Sequence, residues 1–97
     1  MKINKNLNGT ALTIELEGQL DTTTAPELEK ELNALGSVNE LTLDFGKLEY
    51  ISSAGLRVLL AAHKIMSRKG GMKVTNVNEI VNEVFEVTGF SDILTIE

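Results

Sequence analysis

Residues 40–60, Glu40-Leu-Thr-Leu-Asp-Phe-Gly-Lys-Leu-Glu-Tyr-Ile-Ser-Ser-Ala-Gly-Leu-Arg-Val-Leu-Leu60, contain the change of pattern that decides the fold. Leu41, Leu43 and Phe45 alternate with Thr42 and Asp44, the period of a half-buried strand. From Ala54 onward, AGLRVLLAAHKIMSRKGG reads as a helix. Arg57, Ala61, Lys64 and Arg68 fall on one narrow stripe, and nearly everything else is apolar. Such a helix is mostly buried with one wet edge. Gly70-Gly71 ends it. The strand enters the helix through the polar pair Ser52-Ser53.

Working outward, the same alternation of strand and helix continues in both directions. Toward the N-terminus, Ile3, Lys5 and Leu7 alternate with Lys2, Asn4 and Asn6. Asn8-Gly9 then suggests a type I′ hairpin turn, and ALTIELEG is the returning strand. QLDTTTAPELEKELNALG gives an amphipathic helix on Ala25, Leu28, Leu32 and Leu35, stopped at Gly36. Thr24 and Glu27 have the spacing of a capping box, and Pro26 suits a first turn. Toward the C-terminus, MKVTNV is a strand, NEIVNEVFEVTGF a helix and SDILTI a short last strand. Gly89 takes the left-handed position after that helix, which folds Phe90 back onto Phe85.

The order is β-β-α-β-α-β-α-β. Strands separated by single helices favour parallel pairing through right-handed crossovers. Alternation along the strands argues for a sheet covered on one face, because a doubly covered sheet has no need of it. The expected architecture is α/β: a mixed five-stranded sheet with about three to four helices mainly on one face. With 97 residues and 42% of them hydrophobic, a single domain over 1–97 is expected.

Composition excludes several classes of function. There is no cysteine, so neither a disulfide framework nor a thiolate metal site can form. The net charge of −5 argues against a general phosphate-backbone binder, and no nucleic-acid partner is expected. No apolar run approaches a membrane span, and MKINKNLNG has no h-region of a signal peptide. No membrane partner is expected, and the default location is the cytoplasm. His63 is the only histidine and sits beside the Leu56/Leu59/Met66 face, as a boundary or core residue would. It lies ten residues down the helix from Ser53, roughly 15 Å away, which precludes a serine triad. The glycines fit neither a P-loop nor a dinucleotide fingerprint. No cofactor, metal or catalytic residue is expected. A small nucleotide-binding or hydrolytic enzyme using Asp21 and Ser53 is the reading from another class, with the missing histidine partner and phosphate loop against it.

Two strand-to-helix junctions collect the candidate contact residues. Asp21 in LDTTTAP is either a turn residue or a contact at a strand's carboxyl end, where α/β sheets gather their sites. Thr22 and Thr23 are rim or capping residues, and Thr24 is the expected cap. Ser52 and Ser53 are either caps or users of the anion-friendly helix end. A phosphate there adds about −1.5 to −2 charges without opposing the fold.

With these motifs in place, the chain resembles the STAS family, named for sulfate transporters and anti-sigma factor antagonists. The resemblance rests on GQLDTTTAPEL, LTLDFGKLEYISSAGLRVLL, the KGG before MKVTNV, and VFEVTGFSDILTI, and it spans essentially all 97 residues. The compact length is similar to the free-standing bacterial antagonists. The resemblance implies a switch protein and not an enzyme. It binds an anti-sigma factor, commonly a serine/threonine kinase, and so releases the sigma factor for transcription. The kinase phosphorylates the antagonist at the start of this helix, and a phosphatase restores it. Aligned on Gly55-Leu56, the acceptor serine is Ser53, and the family's preceding aspartate is Ser52 here. The implied partner surface is Asp21, Thr22, Thr23, Thr24, Ser52, Ser53, Ala54, Gly55 and Arg57. Replacing Asp-Ser by Ser-Ser removes a charge beside the acceptor and makes Ser52 a competing hydroxyl. A STAS subunit that works without phosphorylation, in a stressosome-like or lipid-transport assembly, is the alternative within binding proteins.

Overall fold

The structure is a computed structural model that describes residues 1–97. Its elements run β1 (Lys2–Asn8), β2 (Ala11–Leu20), α1 (Ala25–Asn33), β3 (Glu40–Ile51), α2 (Ser53–Met66), β4 (Met72–Thr75), α3 (Glu79–Thr88), a 3₁₀ turn (Phe90–Asp92) and β5 (Thr95–Ile96). The sheet has the order β1-β2-β3-β4-β5. Only β1 runs antiparallel to its neighbour; β2, β3, β4 and β5 are mutually parallel. The mixed five-stranded sheet with three helices is the architecture expected from the alternating elements.

Alternation sorts the two faces of the sheet. Leu12, Ile14 and Leu16 of β2 and Leu41, Leu43 and Phe45 of β3 are buried, whereas Thr13, Glu15, Thr42 and Asp44 between them are not. The helices contribute Leu28, Leu32, Leu56, Leu59, Ala62, Met66, Val81 and Phe85 to the same cluster. Every fully buried residue is apolar or glycine, and the one buried side-chain polar atom without a partner, the Ser52 Oγ, lies outside this cluster. The α2 stripe of Arg57, Ala61, Lys64 and Arg68 is exposed and His63 is half-buried, as their helical positions imply.

The structure revises several local expectations. β1 is an exposed edge: Ile3 is half-buried, but Leu7 is 60% exposed. Asn8 pairs with Ala11, so the hairpin loop is Gly9-Thr10, and Gly9 alone carries a positive φ of 64°. Positive φ at the first central residue only is the type II′ pattern, not type I′. α1 ends at Asn33, earlier than Gly36, although Leu35 is still buried. α2 begins at Ser53, one residue before Ala54, and ends at Met66.

β3 differs most, with 12 residues where alternation marks only the first half. The pairing of β2 with β3 shifts twice, between Glu15 and Glu17 and between Gly18 and Gln19. Each shift gives β3 one extra residue, so its buried positions pass from Leu41, Leu43 and Phe45 to Leu48 and Ile51 at steps of three. Two bulges thus carry the strand on to Ser52 with its apolar side still inward. At the other end, Gly89 has φ 81°, and the Phe85 and Phe90 rings stack with centroids 6.5 Å apart. That is the glycine stop and hydrophobic contact expected from VFEVTGF.

Candidate functional site at the carboxyl ends of β2 and β3

Parallel pairing of β2 with β3 puts the ends of these strands level, with Gln19 opposite Tyr50 and Leu20 opposite Ile51. The next residues on each strand are Asp21 and Ser52. The Ser52 amide donates to the Leu20 carbonyl at 2.9 Å, which joins the two turns directly. The junctions that sequence alone marks separately are therefore one surface.

On the β2 side one carboxylate oxygen and the Thr24 hydroxyl gather the turn. Asp21 Oδ1 accepts the Thr23 hydroxyl at 2.7 Å, the Thr23 amide at 2.9 Å and the Thr24 amide at 3.2 Å. The Thr24 hydroxyl accepts the Asp21 amide at 2.8 Å and donates to the Gln19 carbonyl at 2.7 Å. With its hydroxyl so engaged, Thr24 occupies the N-cap position of α1 without capping any amide there, and the capping box with Glu27 does not form. The Thr23 hydroxyl is the main cause that holds the Asp21 carboxyl below its ordinary pKa. Partial desolvation opposes it, and the amides of Thr23 and Thr24 and the Thr24 hydroxyl reinforce it. Asp21 is thus fixed as an anion, with Thr22 and Thr23 exposed beside it.

On the β3 side the two serine hydroxyls lack partners. Ser52 has the extended backbone of an N-cap, φ −100° and ψ 176°, but its side chain caps nothing. Its Oγ is buried and has no hydrogen-bond partner. Ser53, the first residue of α2, is exposed, and no side-chain hydrogen bond ties its hydroxyl. Neither serine is the cap that the sequence allows for. The amides of the first helical turn have no intrahelical carbonyl to meet, so the α2 end presents positive potential around Ser53. Ala54 is half-buried, and Arg57 is exposed one turn along and makes no ion pair.

Gly55, read with the motif as part of the partner surface, is buried and serves packing instead, and Tyr50 escapes a reading by motif. Gly55 is buried against β2: a Cβ there would lie 2.8 Å from Leu20 Cγ and 2.8 Å from Ile51 Cγ1. The missing side chain lets the first turn of α2 sit directly on the two strand ends. Its signal was a glycine inside an apolar helical pattern, where it costs about 1 kcal/mol against alanine. Tyr50, the only tyrosine, is 45% exposed opposite Gln19 and extends the surface. A large exposed aromatic at a strand end carries no sequence signal of its own.

The family model described as "Mlab, STAS domain" matches residues 3–95. The chain belongs to the STAS family. This STAS chain is 40% identical over 84 residues to BtrV of Bordetella bronchiseptica, described as a candidate anti-sigma factor antagonist; the match covers 84% of this chain and 72% of BtrV. It is 29% identical to the anti-sigma-B factor antagonist of Bacillus subtilis, across 99% of this chain and 92% of that one. Among solved structures, an anti-sigma factor antagonist from Mycobacterium paratuberculosis superposes with a TM-score of 0.88 at 21% identity, covering 98% of this chain and 83% of that one. The phosphorylated form of SpoIIAA, a Bacillus cell fate determinant, superposes at 0.77 with 17% identity, covering 99% and 91%. At such identities the superpositions show the STAS fold.

Proposed function

We propose that this STAS domain is an anti-sigma factor antagonist switched by phosphorylation of Ser53. It binds an anti-sigma factor of the serine/threonine kinase type through the Asp21–Thr24 turn and the Ser53 end of α2. Binding frees the sigma factor, phosphorylation by the same kinase ends the interaction, and a phosphatase resets it. The work is done in the cytoplasm, with no catalysis by the domain itself.

The observation that carries this reading is the contrast between adjacent serines. Ser53 is exposed at the helix end, while the Oγ of Ser52 is buried. A kinase meets only one of the two hydroxyls, so the loss of the family's aspartate does not create a second acceptor. A phosphoryl group on Ser53 is stabilised by the first-turn amides and the helix dipole, and the fold survives it. Outside the fold the same group adds about −1.5 to −2 charges beside the fixed Asp21 anion. A partner surface that accommodates one carboxylate then faces roughly three negative charges, and affinity falls.

The test uses the cognate kinase and calorimetry. Wild type takes up one phosphate and Ser53→Ala none; label appearing on Ser52 would sink the assignment. Ser53→Asp binds the kinase at least about tenfold more weakly, about 1.4 kcal/mol, with an unchanged circular dichroism spectrum. A STAS subunit that works without phosphorylation would instead bind its partner equally well as wild type and as Ser53→Asp.

A further inference from the structure

The net charge is not spread over the chain. Residues 1–73 contain all nine Lys and Arg and nine carboxylates, which cancel. Residues 74–97 contain no cation and five carboxylates, and so carry the whole net charge of −5. Three of those carboxylates, Glu79, Glu83 and Glu86, are exposed on α3. At about 100° per residue they fall in a sector roughly 60° wide. None of them forms an ion pair; the three ion pairs of the molecule use Glu31, Glu15 and Glu97.

Beside that row lies an apolar one. Ile80, Val84 and Val87 occupy the neighbouring sector, with Ile80 60% and Val87 82% exposed. The opposite side of α3 supplies Val81 and Phe85 to the core. Val84, between Ile80 and Val87, is half-buried and packs against the core, so the uncovered apolar surface of this sector is Ile80 and Val87. The last turn of α3 contains Glu86 and no basic residue, opposite to what the negative end of a helix dipole favours. The three carboxylates lack a cation, and Ile80 and Val87 lack an apolar cover, within the molecule.

We propose that the outer face of α3 is a second docking surface, which accepts a basic amphipathic helix of a partner protein. The partner's apolar residues cover Ile80 and Val87, across the outer edge of the half-buried Val84. Its lysines or arginines meet Glu79, Glu83 and Glu86, and one of them relieves the uncompensated C-terminal end of α3. This surface shares no residue with the Asp21 turn or the Ser53 end of α2. It gives the domain a contact that phosphorylation of Ser53 does not address.

The probe is a synthetic Leu/Lys amphipathic helical peptide, titrated into isotope-labelled protein and followed by amide chemical shifts. A Leu/Glu peptide of the same pattern is the control. The expected result is shifts centred on residues 79–88, binding weakened by salt, and no binding of the Leu/Glu peptide. Val87→Ser, and separately the triple change of Glu79, Glu83 and Glu86 to Gln, each weaken binding at least tenfold. All four positions are solvent-facing or outside the core, and the two variants remove different chemistry, so one remains informative if the other is poorly folded. Shifts centred on Ser53 or Asp21, equal binding of the Leu/Glu peptide, insensitivity to both variants, or self-association of the free protein through α3 would each overturn the proposal. Ser53→Asp leaves this titration unchanged, which separates its outcome from that of the phosphorylation switch.

Discussion

The turn from β2 into α1 and the turn from β3 into α2 leave neighbouring parallel strands, yet they treat their polar groups in opposite ways. In the first, Asp21, Thr23 and Thr24 bond to one another and to the Gln19 carbonyl until little is left over. In the second, the Ser52 hydroxyl is buried without a partner and the Ser53 hydroxyl points into solvent. The first turn fixes a shape and a charge. The second leaves a helix end and an exposed hydroxyl unengaged. A switch needs both: a reference that does not move and a position that can be modified without unfolding what surrounds it.

The largest expected effect tests whether the two turns are mechanically one. Gly55→Val places branched carbons where a Cβ alone would already meet Leu20 and Ile51 at 2.8 Å. Overpacking of this kind costs about 3 kcal/mol, read as a lower urea midpoint at constant slope. A midpoint equal to wild type would mean that α2 does not rest on the β2 end, and the comparison would lose its physical link.

Next comes Ser53→Asp, which loads the open turn with charge. It weakens binding to the kinase by at least about tenfold, while the melting temperature stays or rises, because an anion suits a helix N-terminus. A fall in melting temperature would show that this end is not open after all.

A smaller effect probes the Asp21 turn. Asp21→Asn keeps an acceptor but removes the charge. The Asp21 carboxyl is held below its ordinary value in the folded state, so its contribution to stability is complete above that value. The contribution fades as pH falls from about 3.9 through the lowered folded value. The gap in melting temperature between wild type and Asp21→Asn should therefore be full at neutral pH and close in that acidic window. A gap independent of pH would show that the threonines hold the turn without the charge.

The smallest effect is the sharpest on Ser52. Replacing an N-cap serine by alanine ordinarily costs about 1 kcal/mol. Here the side chain makes no capping bond. Ser52→Ala should be neutral or stabilising by up to about 1 kcal/mol, since it removes a buried hydroxyl without a partner. Thermal unfolding checks it, and a loss of ordinary cap size would refute the contrast between the turns.

Much of this molecule was legible because local pattern and tertiary role agree. Leu41, Leu43 and Phe45 alternate and are buried; Gly89 and Phe90 stop α3 as VFEVTGF implies. The second half of β3 was hidden because bulges replace a period of two by steps of three, which no strand template matches. Thr24 met the spacing rule for a capping box, but spacing does not reveal that the Gln19 carbonyl and Asp21 amide already engage its hydroxyl. The site residues could be named from the resemblance. That Asp21 and Ser52 stand side by side follows only from the parallel pairing of Leu20 with Ile51. The burial of one serine and exposure of the next depends on that placement too.

The two bulges in β3 also determine which changes in chain length the protein can absorb. Each inserts one residue against the regular β2 ladder, so a residue lost at a bulge restores alternation, whereas one lost from the regularly paired Leu41–Asp44 stretch reverses the side that the strand presents. Deleting Glu49, the unpaired residue of the second bulge, would leave Leu48 and Ile51 inward at a step of two and keep Ser52 and Ser53 in their places. A homologue that loses one residue between Phe45 and Ser52 can absorb it by losing a bulge, with Ile51 still opposite Leu20. The Gly9-Thr10 loop, at an exposed hairpin on the edge, carries no such parity. Single-residue deletions should be tolerated there and at the two bulges, and not within Leu41–Asp44, which pairs regularly on both sides.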